Sequence, residues 1–159
     1  MTIVYRHARP EDMAAVRSLF TEYAGSLGID LSFQGFDGEL EGLPGRYSPP
    51  EGTLLIAERD GEPCGCIALR RIDARACEMK RLYVRPACRG LGIGRELVRR
   101  LLEEAGARGY GCMRLDTLPS MRSAIAMYRS FGFLETAPYV YNPVEGALFM
   151  EKVLQPGER

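Results

Sequence analysis

The stretch CRGLGIGREL, Cys88 to Leu97, sets Gly90, Gly92 and Gly94 at alternate positions between Arg89 and Arg95, directly ahead of a segment with helical periodicity. Glycines let the main chain approach an anion without Cβ interference, and the first turn of a helix offers amide N–H groups and the positive end of its dipole. The stretch reads as a backbone cradle for phosphate. The elements on either side decide whose phosphate it is.

Upstream, the strand-like runs 53–59, 63–72 and 76–84 predict an antiparallel meander, its first turn at Asp60-Gly61. In the third run, strand alternation puts Glu78, Lys80, Leu82 and Val84 on one face. Residues 2–8 form an opening strand, and Arg9-Pro10-Glu11-Asp12 starts a helix whose stripe is Met13, Val16, Phe20, Tyr23 and Leu27, closed by Gly28. From Ile29 to Gly52, glycines and prolines leave a loop with room for one short helix. It carries Asp30, Asp37, Glu39, Glu41 and Glu51 against Arg46.

Downstream, Ile93, Leu97, Leu101 and Ala105 predict a helix over 92–108 that ends at Gly109. A strand at 112–117, a helix at 119–131 followed by Gly132, and a strand at 147–154 complete the order. The pattern predicts one α/β (α+β) domain, 1–159, with a mixed, mostly antiparallel central sheet flanked by helices.

Bulk properties exclude several classes of function. Lys+Arg and Asp+Glu each number 21, so no global basicity argues for nucleic acid or an acidic membrane surface. Five cysteines at no framework spacing make neither a disulfide set nor a zinc site, and fit a reducing compartment. No apolar run reaches the roughly 18 residues of a membrane span, and the opening MTIVYRHARP has no signal-like apolar core. The expectation is a soluble, cytoplasmic protein without a metal.

Three owners of the phosphate compete. A nucleotide-binding P-loop needs Lys-Ser/Thr after its last glycine, and none is present. A dinucleotide-binding turn is supported by the strand-glycine-helix-strand order and by Asp116 downstream. It fails because Arg95 or Leu97 occupies the region of the third small residue and Arg85 to Arg89 separate strand from turn.

The third owner is coenzyme A. The span Glu78 to Val84, then Arg85-Pro86, then Arg89-Gly90-Leu91-Gly92-Ile93-Gly94, resembles the GNAT superfamily of acyl-CoA-dependent N-acetyltransferases. That family's signature of Arg or Gln, two residues, Gly, one residue, and Gly or Ala is filled by Arg89, Gly92 and Gly94. Its Ala-x-x-x-Tyr helix with a following Gly-Phe is similar to Ala124 to Tyr128 and Gly132-Phe133.

The resemblance implies transfer from acetyl-CoA to a primary amine by direct attack in a ternary complex. It places the cofactor on the main chain of Leu82, Tyr83 and Val84 and on the loop Arg89, Gly90, Leu91, Gly92, Ile93, Gly94 and Arg95. It gives Tyr128 the role of acid toward the leaving thiolate and Glu78 that of general base, its pKa raised by desolvation. Tyr128 also reads as a core aromatic, and Glu78 as a salt-bridged strand residue. The family often carries asparagine three residues before the alanine; here Met121 stands there, with Thr117 and Ser120 nearby to substitute.

The acceptor is expected to be a small-molecule amine, drawn by Asp30, Asp37, Glu39 and Glu41, with Tyr139, Tyr141 and Asn142 shaping its pocket. A peptide or protein amine and a non-catalytic acyl-CoA sensor are the alternatives, and a homodimer is compatible with the sequence.

Overall fold

Strands with apolar side chains on both faces require cover on both sides, and the helices of this chain supply it. The computed structural model describes residues 1–154. Strands β1 (Ile3–His7), β2 (Thr53–Arg59), β3 (Glu62–Arg71), β4 (Ala76–Val84), β5 (Cys112–Thr117), β6 (Leu134–Glu135) and β7 (Leu148–Val153) form one sheet in the order β1-β2-β3-β4-β5-β7-β6. Neighbours are antiparallel except β4 and β5. The mixed, mostly antiparallel sheet is therefore as the element order predicts.

Helix α3 (Ile93–Ala107) covers one face, where Ile93, Leu97, Val98 and Leu101 pack over Leu55, Ile67, Leu69 and Met79. Tyr128 of α4 (Arg122–Ser130) and Phe133 join the same core. Helix α1 (Met13–Leu27) and the short α2 (Phe36–Glu41) cover the other face, with Val16, Leu19, Phe20, Leu31 and Phe36 against Leu54, Ile56, Cys66, Ala68 and Tyr83.

One boundary and one added strand differ from the sequence reading. Helix α4 begins at Arg122, because residues 118–121 first close a turn, with Met121 N–H donating to the Leu118 carbonyl at 3.0 Å. Strand β6 has two residues, too few for periodicity to signal.

Strand β4 departs from simple alternation in a way that shapes the molecule. Cys66 pairs with Tyr83 and Ala68 with Lys80, so Arg81 and Leu82 stand opposite the single Ile67. This is a β-bulge, and Arg81 adopts φ 62°, which a non-glycine residue does not adopt without support. Support comes from the Arg81 guanidinium, which donates from Nε and Nη2 to Glu39, both at 2.9 Å, and lies 5.1 Å from the Phe36 ring centroid. The Cys66 thiol, pushed up to about 12 by burial, keeps its proton and donates to the Arg81 carbonyl at 3.3 Å.

The bulge inverts the side-chain parity. Glu78 and Lys80 face the α1 side, whereas Leu82 and Val84 pack on the α3 core. The single face expected for Glu78, Lys80, Leu82 and Val84 is thus split in two.

Arg81→Met leaves Glu39 without its buried partner and is expected to lower the unfolding free energy by about 3–5 kcal/mol in urea titration. A loss below about 1 kcal/mol, the range of an exposed pair, contradicts this account of the bulge.

Candidate active site: a cleft between parting strands

Strands β4 and β5 pair over three positions only, ending at Glu78 and Arg114. Beyond them β5 continues against β7 while β4 continues against β3, and the two strands part. The gap opens into a cleft of about 620 Å³, counted with its open mouth. Met79 to Leu82 line one side, Leu115 to Leu118 with Met121 and Tyr128 the other, and Ile29, Leu31, Phe33 and Gln34 a third.

A buried polar network forms its floor. The Glu78 carboxylate, 1% exposed, accepts from Arg70 Nε at 2.7 Å and from the Tyr139 hydroxyl at 2.6 Å. Lys80, 6% exposed, donates to Gln34 Oε1 at 2.9 Å and stands 4.0 Å from oxygens of both Glu78 and Asp116. Asp116 accepts from Asn142 Nδ2 at 3.0 Å. Burial pushes the Glu78 carboxyl up, yet Lys80, Arg70 and Tyr139 together hold it below its ordinary value. The rise expected from desolvation is outweighed, and Glu78 does not line the cleft. Burial lowers the Lys80 ammonium against the opposing pull of Glu78.

The segment 29–52 reaches the cleft with Ile29, Leu31, Phe33 and Gln34, and none of Asp30, Asp37, Glu39 and Glu41 lines it. Asp30 instead accepts from the Ser32 amide at 2.9 Å, and Glu39 is held by Arg81. Asn142 lines the cleft, Tyr139 stands behind it on Glu78, and Tyr141 meets Phe33 edge-on at 6.3 Å. Thr117 lines it and Ser120 does not.

The glycine loop has its own geometry. Gly90 and Gly92 take φ 81° and 78°, and Gly92 is the N-cap of α3. Gly94 lies in the helix, where a Cβ would meet only Val84 Cγ2 at 3.8 Å, so packing within the chain does not demand glycine there. The amides of Gly90, Leu91, Gly92, Ile93, Gly94 and Arg95 donate to no backbone carbonyl among the described residues. Arg89 Nε donates to the Val84 carbonyl at 3.1 Å, and Arg95 reaches Ser130 at 3.0 Å. Ile93 is buried in the core, so only its amide is offered. A group with closely spaced anionic oxygens fits this loop: free N–H groups, a Cβ-free approach at Gly94 and two guanidinium groups.

Tyr128 packs edge-on to Phe133 at 5.9 Å, as a core aromatic does, and also lines the cleft. Burial, then Tyr23 and Asp116, raise its pKa, so the hydroxyl keeps its proton at neutral pH. Burial likewise raises Cys64 to about 11, against a covalent route through that thiol. Lys80, Gln34 and Asp116 are polar cleft residues that the sequence did not single out for this site. One signal was available: Lys80 is one of two lysines in the chain and sits inside an otherwise buried strand.

Comparison with known proteins agrees with this geometry. Residues 14–133 match the acetyltransferase (GNAT) family, and the chain belongs to it. An uncharacterized N-acetyltransferase of Schizosaccharomyces pombe is 41% identical over 143 residues, covering 89% of this chain and 88% of that protein. An acetyltransferase of Streptococcus agalactiae superposes with a TM-score of 0.79 at 22% identity, covering 96% of this chain and 98% of the other. The Salmonella typhimurium protein yncA, with its cofactor acetyl-CoA, superposes at 0.71 with 23% identity over 98% of this chain and 95% of the other. Among the described residues no helix is long and apolar enough to cross a membrane.

The Glu78 contribution to stability has a definite sign. Because its folded pKa lies below the ordinary 4.5, the contribution is full above that value and is lost as pH falls through the folded one. Glu78→Gln is expected to be less stable than wild type at pH 7, and the gap to narrow between about pH 5 and pH 3. Denaturant titrations across that range check it, and a gap independent of pH contradicts it.

Proposed function

We propose that this protein transfers an acetyl group from acetyl-CoA to a primary amine of a small molecule, by direct attack within a ternary complex. The observation that carries the reading is the row of unpaired amides from Gly90 to Arg95 beside the parted edge of β4. The loop suits a pyrophosphate, with Arg89 and Arg95 adding charge. The main chain of Leu82, Tyr83 and Val84 has no strand on its β5 side, and an amide-bearing pantetheine arm fits there as an added strand.

Acetyl-CoA supplies an activated acyl carbon and a thiolate leaving group. The remaining chemistry falls to side chains of the cleft. A neutral amine attacks, the N–C bond forms, the C–S bond breaks, and the nitrogen passes a proton to a carboxylate. Asp116 is better suited to that task than Glu78, because it lines the cleft while both Glu78 oxygens are engaged. Glu78 then acts as a positioning residue that holds Tyr139 and attracts Lys80. The Tyr128 hydroxyl donates to sulfur, and a proton returning from Asp116 to Tyr128 resets both groups. A backbone N–H near Val84 is assigned the stabilisation of charge on the acyl oxygen.

Acetyl-CoA at 100 times its Kd is expected to stabilise the fold by about 2.7 kcal/mol, read as a higher melting temperature. Absence of any shift with acetyl-CoA or CoA contradicts the ligand assignment. Gly94→Ala is expected to leave the unliganded melting temperature unchanged or higher, since alanine gains up to about 1 kcal/mol in a helix. Gly94→Val, by contrast, should lower CoA affinity at least roughly tenfold as its branched side chain blocks the approach to the main chain, whereas the alanine that the signature accepts should keep it. Tyr128→Phe should keep CoA affinity and lose about 10²-fold or more in amine-dependent thiol release. An undiminished rate removes Tyr128 from the mechanism.

A further inference from the structure

The cleft floor holds two opposite charges that the fold buries side by side and does not let touch. Lys80 Nζ lies 4.0 Å from Asp116 Oδ1 and 4.0 Å from Glu78 Oε2, beyond hydrogen-bond reach of both. Its one hydrogen bond goes to Gln34, so two of its three N–H donors have no acceptor among the described residues. That side chain is only 5% exposed. Asp116, 6% exposed, uses Oδ2 for Asn142 and leaves Oδ1 without a donor in range among the described residues. Both side chains line the cleft. Glu78 has one hydrogen bond on each oxygen, from Arg70 and Tyr139, and does not line the cleft. Both charges face the cleft with hydrogen-bonding capacity to spare, and a ligand that meets both at once gains accordingly.

We propose that the Lys80–Asp116 pair is the recognition site for a free α-amino acid, which is the acetyl acceptor. The proposal rests on the acetyltransferase reading above and adds the class of acceptor to it. The acceptor's amine meets Asp116 Oδ1 and its carboxylate meets the two open donors of Lys80. The spacing suits this match, because an α-amino acid holds its nitrogen and carboxylate oxygens about 3 Å apart through bond lengths alone. Set against a protein pair 4.0 Å apart, the four groups close into a ring of alternating charge.

The same contact holds the nitrogen against the carboxylate that takes its proton. Leu27, Ile29, Leu31 and Phe33 form an apolar wall of the cleft, so the favoured side chain is apolar. A peptide N-terminus or a simple amine brings no carboxylate, and leaves the Lys80 donors as unmet as before.

The test measures thiol release from acetyl-CoA with L-leucine, L-methionine and L-phenylalanine, each beside its carboxamide and its decarboxylated amine. The free acids are expected to exceed both analogues in kcat/KM by roughly 10- to 100-fold, the range for a hydrogen bond to a charged group. In Lys80→Met the preference of acid over amide should collapse toward one, with CoA affinity and melting temperature recorded to show that the variant is folded. If Lys80→Met does not fold, the wild-type series decides alone. Amides or simple amines used as well as the free acids overturn the amino-acid proposal and leave the acetyltransferase reading standing. Acetyl-CoA binding with no thiol release to any amine overturns both.

Discussion

The parting of β4 from β5 is the constraint on which the site depends. Two parallel strands that began to pair at Ala76 and Cys112 separate after Glu78 and Arg114, and every group assigned to chemistry lies on the resulting gap or beside it. Strand β4 stays bound to β3 through a bulge at Arg81, whose left-handed backbone is held by Glu39 and the Phe36 ring. Without the bulge, strict alternation would carry Leu82 and Val84 onto the polar face. With it, they join the α3 core and leave Lys80 over the cleft.

The electrostatics of the floor follow from the same placement. Four ionisable side chains, Arg70, Glu78, Lys80 and Asp116, are brought together with little solvent, and tolerating them requires partners. Glu78 obtains two strong hydrogen bonds and is held ionised; Lys80 and Asp116 obtain one each and retain unused capacity facing the cleft. That difference in satisfaction separates a supporting carboxylate from an available one. The glycine loop shows the complementary case, where free amides rather than side chains await an anion.

Much of the fold was legible because its signals are local. Turn residues at Asp60-Gly61, the helical stripes of α1 and α3 and the glycine at the α3 N-cap each report on a few neighbouring residues, and each reads the same way in the structure. The cleft floor was less legible, since it depends on pairings across the chain. The Lys80 bond to Gln34 spans 46 residues and the Tyr139 bond to Glu78 spans 61. A periodicity argument also assumes unbroken alternation, and the positive φ of Arg81 defeats it without any glycine to announce it. The acids of 29–52 misled for a related reason: composition reports charge, but not which side of a turn faces the site.

The central claim is that the Gly90–Arg95 amides and the free edge of β4 form one cofactor surface. A nitrogen-15 amide NMR titration of the whole protein with CoA tests it directly. The account predicts that the largest shift changes fall on Gly90 to Arg95 and on Leu82 to Val84. Saturable changes confined elsewhere, with those amides unmoved, would contradict it.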